Sequence, residues 1–342
     1  MKRGGIALLL FLLGGCPGAG AENAEGGGTA GDEEVTFPDE AAARTEDAAA
    51  PPASPAVAEA EGLLVEGKGA EAQAVLEAAI AEEPEDLRAH LDLGLAFELQ
   101  GQPGPAEAAY RRAIEIDPAF PEALNNLGLL LREQERQDEA VEVLRRAIEA
   151  RRDFASAHVN LALALEEAGR LPEALEVYRA AVQIAPRDPM TRVNFGLALI
   201  AAGDEANAAI ELRRGLNVGR GNAAALSAAG SGLRRVGEAE AAVRALSLAI
   251  EAHGEPTAAL LSELALAQRA AGDRSAARAT LGQAIDLDPQ YAPTHYLLGN
   301  MLAGDGSYAE AVTHYRRYLA LEPNGPLADR VRDRIRAARR AQ

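Results

Sequence analysis

The sequence predicts an all-α protein built from repeated helical hairpins, and three observations support this. The 342 residues are 48% hydrophobic, largely through the helix formers Ala and Leu, whereas aromatic residues make up only 4% and Trp is absent. Small residues recur every 34 positions. Glycine and proline recur at fixed offsets where they would end successive helices. Such a composition favours many small helix contacts over one large core.

The N-terminus has the layout of a bacterial secretory signal. Two basic residues precede an apolar run at 6–13, and two glycines then lead to Cys16, the only cysteine in the sequence. The run is shorter than the roughly 20 residues that a transmembrane helix needs. Residues 13–16 resemble the lipobox of bacterial lipoproteins, in which cleavage occurs before a cysteine that carries a diacylglycerol. The alternative is an ordinary signal peptide followed by an unrelated cysteine.

The lipobox resemblance implies that residues 1–15 are a cleaved signal peptide and that Cys16 anchors the mature protein to a membrane. Several acyl chains on one cysteine give stable anchoring, which a single chain does not. Pro17 follows the cysteine, where lipoproteins retained at the inner membrane often have Asp. We therefore expect an outer-membrane lipoprotein facing the periplasm, or the outer face of the cell membrane in a host without an outer membrane.

The segment that follows the signal, residues 16–52, is predicted to be a disordered acidic tether. It has nine carboxylates against the single Arg44 and almost no aliphatic side chains. Such a stretch cannot bury enough apolar surface to offset the entropy lost on ordering. Repulsion between its charges should keep it extended. An acidic recognition tail is the alternative interpretation.

A 34-residue period defines eight units within residues 53–325. The most regular position is an alanine, with a one-residue slip near 253–256: Ala72, Ala106, Ala140, Ala174, Ala208, Ala242, Ala277 and Ala311. A small residue stands twelve positions before each alanine, and in the last seven units a larger residue, Leu or Tyr, stands four positions after it. Two helices can cross closely where such small side chains meet. Seven glycines from Gly67 to Gly306 are placed to cap the first helices in a left-handed conformation, and Glu135 is the exception.

This pattern of offsets and residue types resembles the tetratricopeptide repeat over residues 53–325. The resemblance implies a right-handed superhelical solenoid of about eight antiparallel helix pairs with a concave inner groove. The first unit departs from the pattern, because Glu59 occupies an offset usually filled by Leu or Phe, and we expect it to be a frayed cap. Residues 326–342, which begin with Pro326, are predicted to form a C-terminal capping helix.

The predicted capping helix carries a basic patch in an otherwise acidic chain. Its members share an outward position: Arg330, Arg332, Arg334, Arg336, Arg339 and Arg340. The patch either solvates a terminal helix or contacts an acidic partner, lipid head groups or the protein's own tether. The net charge of −18 argues against general affinity for nucleic acid, which needs clustered cations.

Side-chain patterns that resemble chemical sites have structural explanations. His90, His158 and His295 share one repeat offset and are predicted to be packing wedges between helices, not metal ligands. The other two histidines are expected to be isolated. Residues 62–68 match G-x-x-x-x-G-K, but no strand precedes them and Gly69 stands where Ser or Thr would hold magnesium. We predict no catalytic residues, cofactor, metal site or small-molecule substrate.

A stripe along the first helices of four successive units is the predicted binding site. Its polar members share one offset and its leucines lie three residues further on; we call this set the Asn/Leu stripe: Asp92, Leu95, Asn126, Leu129, Asn160, Leu163, Asn194 and Leu197. Amides both donate and accept hydrogen bonds, so the stripe can hold the backbone of an extended peptide in the concave groove. The alternative is that the amides tie neighbouring hairpins together.

These features together predict a membrane-anchored periplasmic scaffold or adaptor that binds protein or peptide partners during assembly of a cell-envelope complex. The alternative is a regulatory or targeting subunit of a cell-wall or glycan enzyme, with catalysis in the partner. Both hypotheses rest on analogy at the level of the fold.

Overall fold

The computed structural model describes residues 54–341, and every regular element in that range is an α-helix. The predicted signal peptide, Cys16 and the predicted tether lie outside the described residues. Within the described range no helix is long and apolar enough to cross a bilayer. The predicted all-α class is confirmed.

Sixteen of the helices described form eight consecutive hairpins. The pairs are α1 (Pro55–Val65) and α2 (Gly69–Glu82), α3 (Leu87–Leu99) and α4 (Pro103–Ile116), α5 (Pro121–Glu133) and α6 (Gln137–Ala150), α7 (Ala155–Glu167) and α8 (Leu171–Ile184), α9 (Pro189–Ala201) and α10 (Glu205–Val218), α11 (Ala223–Arg235) and α12 (Ala239–His253), α13 (Ala258–Ala270) and α14 (Arg274–Leu287), and α15 (Ala292–Gly304) and α16 (Tyr308–Leu321). A last helix, α17 (Ala328–Arg340), follows them.

The first helix of each hairpin ends as the sequence predicted. All seven of the predicted cap glycines have positive φ, from 69° at Gly101 to 87° at Gly272. Glu135 takes the same left-handed conformation, with φ 61°, although its side chain makes it unfavourable. The one-residue slip lies in α12, which is one residue longer than the other second helices and ends at Gly254 with φ 85°.

Close crossing within the hairpins explains the recurrent small residues. A Cβ atom on Gly196 would lie 2.7 Å from Leu212 Cγ, far inside van der Waals contact. In the same way, a Cβ on Gly299 would lie 2.7 Å from Tyr315 Cε1. The large residue on the second helix therefore fills the space that the glycine on the first helix leaves empty, and all eight recurrent alanines, such as Ala140, are fully buried.

Packing proceeds from each helix to its neighbours along the chain. Each helix contacts the next one, and several first helices also contact each other, as α5 does α7 and α9 does α11. The largest buried cluster runs from Ala106 to Ala208, and a second runs from Val193 to Ala267. This arrangement is a superhelical array of repeats, in which the stability of each hairpin depends on its neighbours.

The two ends of the array differ in detail from the prediction. Helix α1 is regular and not frayed, because the Ser54 hydroxyl accepts a hydrogen bond from Val57 N–H (3.3 Å) and caps it, while Glu59 is exposed. Helix α17 begins at Ala328 and not at Pro326, because Ala328 N–H donates to the Gly325 carbonyl (2.9 Å) in a preceding turn.

Candidate functional site

The Asn/Leu stripe lies on α3, α5, α7 and α9, the first helices of four successive hairpins. Asn126, Asn160 and Asn194 are half-buried, whereas Asp92 is buried. The four leucines of the stripe are also half-buried. The stripe therefore keeps part of its polar and apolar surface accessible to a partner.

One amide of the stripe is joined to the preceding repeat through a residue that the sequence analysis missed. The side chain of Asn160 donates from Nδ2 to Asn125 Oδ1 (2.9 Å), and Asn125 Nδ2 in turn donates to Asn126 Oδ1 (3.2 Å). Asn125 is buried and connects α5 with α7. The two consecutive asparagines at 125–126 are the sequence feature that could have indicated this contact. The amides of these two repeats therefore tie hairpins together, and Asn160 keeps its carbonyl oxygen and one N–H for other bonds.

The leucines of the stripe also have structural contacts. Leu95 and Leu163 pack against the largest core cluster. Leu197 lies against α11, where a Cβ on Gly232 would come within 3.1 Å of Leu197 Cδ2. Leu95, Leu163 and Leu197 thus combine a packed side with a partly accessible one, which is the form of an apolar subsite on a rigid layer.

Asp92 departs from the other polar members of the stripe in charge and in environment. Asp92 is only 6% exposed. Its Oδ2 atom is buried and has no hydrogen-bond partner among the described residues. Burial raises the pKa of the Asp92 carboxyl from 3.8 to about 7; the Glu61 carboxylate adds to the shift and the Arg88 guanidinium opposes it. Arg88 is itself paired with Glu61 (3.0 Å).

The Tyr110 hydroxyl on α4 is a second buried group that makes no hydrogen bond of good geometry within the described residues. Burial is the main cause that raises the pKa of this hydroxyl; the Glu98 carboxylate, which is close enough to accept from it, adds to the rise, and the Asn126 side chain opposes it. Two repeats later the same offsets hold Tyr178 and Glu166, and there the hydroxyl donates to Glu166 Oε2 (2.6 Å). In the repeat that contains Asp92, the tyrosine at this offset therefore lacks the well-formed hydrogen bond that Tyr178 makes.

The three histidines at the shared offset are buried, and each one bonds a backbone carbonyl near the start of its own helix. His90 Nε2 donates to the Pro84 carbonyl (2.9 Å), and His295 Nε2 donates to the Pro289 carbonyl (3.1 Å), each fixing the loop before its own helix. His158 instead bonds the Phe154 carbonyl through Nδ1 (3.1 Å). Within residues 54–341 no group of three or more potential ligands could hold a metal ion.

The expectation that His314 is isolated is wrong. Its Nδ1 lies 3.1 Å from Nδ1 of His295, and the two rings stack with centroids 5.5 Å apart. Because His295 Nε2 donates to a carbonyl, His295 Nδ1 must accept when the ring is neutral, and His314 Nδ1–H donates to it. Burial lowers the pKa of both rings, so the neutral pair is favoured. The two positions lie on different helices, 19 residues apart, and the repeat period does not reveal this contact.

In the fifth repeat, Arg192 occupies the offset that holds a histidine in three other repeats. It forms a buried ion pair that the sequence analysis also missed. Its Nη1 lies 2.6 Å from Glu211 Oε2, and its Nε donates to the Pro186 carbonyl (2.7 Å). Both side chains are almost fully buried. Glu211 also pairs with Arg214 (2.6 Å), whereas removing Glu211 would leave the buried Arg192 charge uncompensated, so the pair is structural.

The two remaining candidates from the sequence are the glycine-containing segment 62–68 and the arginines of α17. Gly62 lies within α1 and Gly67 caps it with φ 75°, so residues 62–68 form a helix and its cap, not a phosphate-binding loop. The six arginines of α17 are all exposed, while Val331 and Ile335 on its other side are buried. Arg332 pairs with Asp329 (2.6 Å), and Arg336 pairs with Asp333.

Comparison with protein families gives a consistent result. A family model described as "Tetratricopeptide repeat" matches residues 57–121, 100–153, 125–189 and 262–326. A search of curated proteins finds no significant sequence match.

Solved structures share the fold at low sequence identity. The APC/C hetero-tetramer Cut9-Hcn1 matches 83% of this chain with a TM-score of 0.54 and 17% identity, and this chain spans 55% of that one. A tetratricopeptide repeat protein from Parabacteroides merdae matches 74% of this chain and 98% of its own, with a TM-score of 0.52 and 17% identity. The pilF protein of Pseudomonas aeruginosa matches 61% of this chain and 93% of its own, with a TM-score of 0.50 and 24% identity.

Proposed function

Because this chain belongs to the tetratricopeptide repeat family, we propose that it is a membrane-anchored, non-catalytic scaffold that holds a protein partner through an extended segment. The observation that carries the proposal is the Asn/Leu stripe, which continues across four first helices and remains partly accessible. The proposed location is the outer membrane, facing the periplasm, with Cys16 as the lipidated anchor. Assembly of a cell-envelope complex is the process that fits such a scaffold.

The chemistry of the stripe supports an extended segment as the bound form. Polar groups recur at 34-residue spacing on adjacent helices, and each amide retains bonding capacity beyond the link through Asn125. An extended backbone presents donors and acceptors on both sides, so amides of this kind can bind it without requiring a particular sequence. The half-buried leucines beside them would take apolar side chains of the same segment.

Replacing the three asparagines tests the stripe directly. A variant with Asn126, Asn160 and Asn194 all changed to Ala should lose affinity for a partner captured from envelope extracts. Each amide contributes about 1 kcal/mol, so the loss is at most roughly two orders of magnitude. Calorimetry of partner binding should be run beside thermal unfolding. Glu142→Gln, on an exposed site of α6, is the control that should change neither.

The two measurements separate binding from structure. Lost affinity with an unchanged melting temperature supports the proposal. A large drop in stability with affinity intact would show that the stripe only joins hairpins, as Asn125 already does in part. If the captured partner is a cell-wall or glycan enzyme whose activity changes on binding, the regulatory-subunit alternative is favoured.

Anchoring is tested separately through Cys16. Replacing Cys16 with Ser removes the atom that would carry the lipid, so the variant should leave the membrane fraction and appear in the soluble fraction. Fractionation of both proteins from the same cells measures this. Equal retention in membranes by the parent and the variant would refute the lipoprotein assignment.

A further inference from the structure

Two hairpins have a polar side-chain contact between the same two positions of their first and second helices. In the fifth hairpin Arg192 pairs with Glu211 (2.6 Å), and in the last hairpin His295 meets His314, with 3.1 Å between their Nδ1 atoms. The two residues are 19 apart in both cases. In the other hairpins at least one of the two positions is apolar, as at Val177, so a lone histidine such as His158 has no titrating partner there. The last hairpin therefore differs in placing two like titratable rings at this contact.

We call His295 and His314 the histidine pair, and its bonding leaves room for one added proton but not for two. In the neutral pair, His314 Nδ1–H donates to His295 Nδ1, while His295 Nε2–H donates to the Pro289 carbonyl (3.1 Å). A first proton can enter at His314 Nε2, which the pair does not use. A second proton must go to His295 Nδ1, the accepting atom. Two N–H groups would then face each other, so the rings must separate.

The charges around the histidine pair do not compensate a second proton. The groups that act on the rings are Arg278 on α14 and Glu310 and Arg317 on α16. Both guanidinium groups oppose added positive charge, whereas Glu310 favours it but also lies 3.4 Å from Arg278. Helix α13 contributes the neutral Ser262 hydroxyl, which bonds Thr294 (2.9 Å), and the arginines of α17 are exposed. Positive charge therefore already exceeds negative charge at this contact.

Burial acts in the same direction. His295 is only 5% exposed and His314 is half-buried, and burial lowers the pKa of both rings. The folded hairpin therefore binds protons less readily than the unfolded one, whose histidines have the ordinary pKa of about 6.5. The contribution of the pair to stability is complete above this pH and is lost as the pH falls below it.

We infer that the histidine pair is an acid-sensitive contact that separates α15 from α16 on taking up a second proton and so loosens the last hairpin and α17. Helix α17 packs on α16, and contacts in the array are made between neighbours, so the earlier hairpins should stay folded. The inference concerns the end of the array and does not depend on the proposed function.

The test is hydrogen exchange of the full-length protein in detergent at pH 7.5 and pH 5, corrected for the intrinsic exchange rates. Exclusion of one proton from the folded pair should increase opening of α15 and α16 about 30-fold at pH 5, since an unfolded histidine of pKa about 6.5 is almost fully protonated there. The amides of α9 and α10, a hairpin without histidine, are the internal control. If α15 and α16 lose no more protection than α9 and α10, the inference is overturned.

A variant separates the pair from general effects of acid. His314→Asn keeps a donor for His295 Nδ1 and, with the amide turned over, supplies an acceptor for the protonated ring. The loss of protection at pH 5 should then shrink to less than about threefold. His158→Asn makes the same change on α7 and should keep the full loss in α15 and α16. An undiminished loss in His314→Asn overturns the inference.

A second measurement needs no variant. NMR of the histidine ring nitrogens in the parent follows the five histidines directly across the same pH range. At least one ring should stay neutral at pH 5 for as long as the last hairpin is folded. Protonation of all five rings near pH 6.5, with the protection of α15 and α16 intact, would show that the contact tolerates both protons and would overturn the inference.

Discussion

Replacing Asp92 with Asn should stabilise the folded chain at neutral pH. Asn stands at the same offset in the next three repeats, so the amide suits this position on the first helix. The substitution keeps the shape of the side chain and removes a charge that burial penalises.

The size of the gain follows from the pKa shift of Asp92. The folded state raises this pKa from 3.8 to about 7. Each pKa unit corresponds to about 1.4 kcal/mol, so the charge costs up to about 4 kcal/mol at pH 7. Relaxation and water penetration reduce such penalties, and we expect a gain of about 2–4 kcal/mol.

The gain should depend on pH in a defined direction. Below about pH 4 both the folded and the unfolded chain hold the Asp92 proton, so parent and variant should differ little. Between the unfolded and folded pKa values the unfolded chain releases the proton while the folded chain keeps it, and the parent loses stability as the pH rises. Above the folded pKa of about 7 the difference becomes constant.

Hydrogen exchange is the suitable assay, because contacts in a repeat array are local and the gain should concentrate in α1 to α4. Exchange of the α3 and α4 backbone amides should be measured for both proteins across a pH series, with urea unfolding followed by circular dichroism as the global measurement. The amides of α13 and α14 serve as internal controls. A difference below about 0.5 kcal/mol in α3 and α4 at every pH would refute the assignment of a buried, uncompensated charge to Asp92.

Three further tests concern packing, backbone strain and hydrogen bonding. Ala140→Leu should overpack a helix crossing and cost about 1–3 kcal/mol, whereas Glu142→Gln should do little; equal melting of the two variants would contradict the crossing. Glu135→Gly should raise stability by about 1 kcal/mol in urea unfolding, because it removes a side chain from a left-handed conformation, and a loss would contradict this reason. Tyr110→Phe should gain about 1 kcal/mol by deleting an unpartnered hydroxyl, whereas Tyr178→Phe should lose about that amount, and the same sign for both would count against the hydrogen-bond assignment.

Much of the fold could be predicted because each repeat has the same residue types at the same positions. The recurrent alanines, the cap glycines and the prolines after the second helices depend on the backbone within one hairpin, and their 34-residue spacing is visible in the sequence. Even the slip near Gly254 proved to be one added residue in α12. Local backbone requirements of this kind leave a direct trace in residue type.

The side-chain contacts could not be predicted in the same way. The bond from Asn160 to Asn125, the pairing of His295 with His314 and the buried pair of Arg192 with Glu211 each join two different offsets. Whether such residues meet depends on rotamers and on the rotation of one helix against the next, which a period of 34 residues does not specify. These contacts became visible only in the structure.

Two departures from the repeat pattern, Glu135 and Asp92, have different implications for function. Glu135 replaces a cap glycine, but it lies on an exposed turn, where its left-handed backbone conformation is unfavourable without burying a charge. Asp92 replaces an amide inside the first-helix layer, where its charge acts on Glu61 and Tyr110 and Arg88 offsets the effect of burial only in part. The Asn found in the next three repeats would pack as well as Asp92 does. The free-energy cost of burying the Asp92 charge is therefore more readily retained if the charge contributes to binding than if it only contributes to packing. Asp92 is therefore the position in the Asn/Leu stripe where stability and partner binding should be in conflict, and Asp92→Asn should improve the first while it weakens the second.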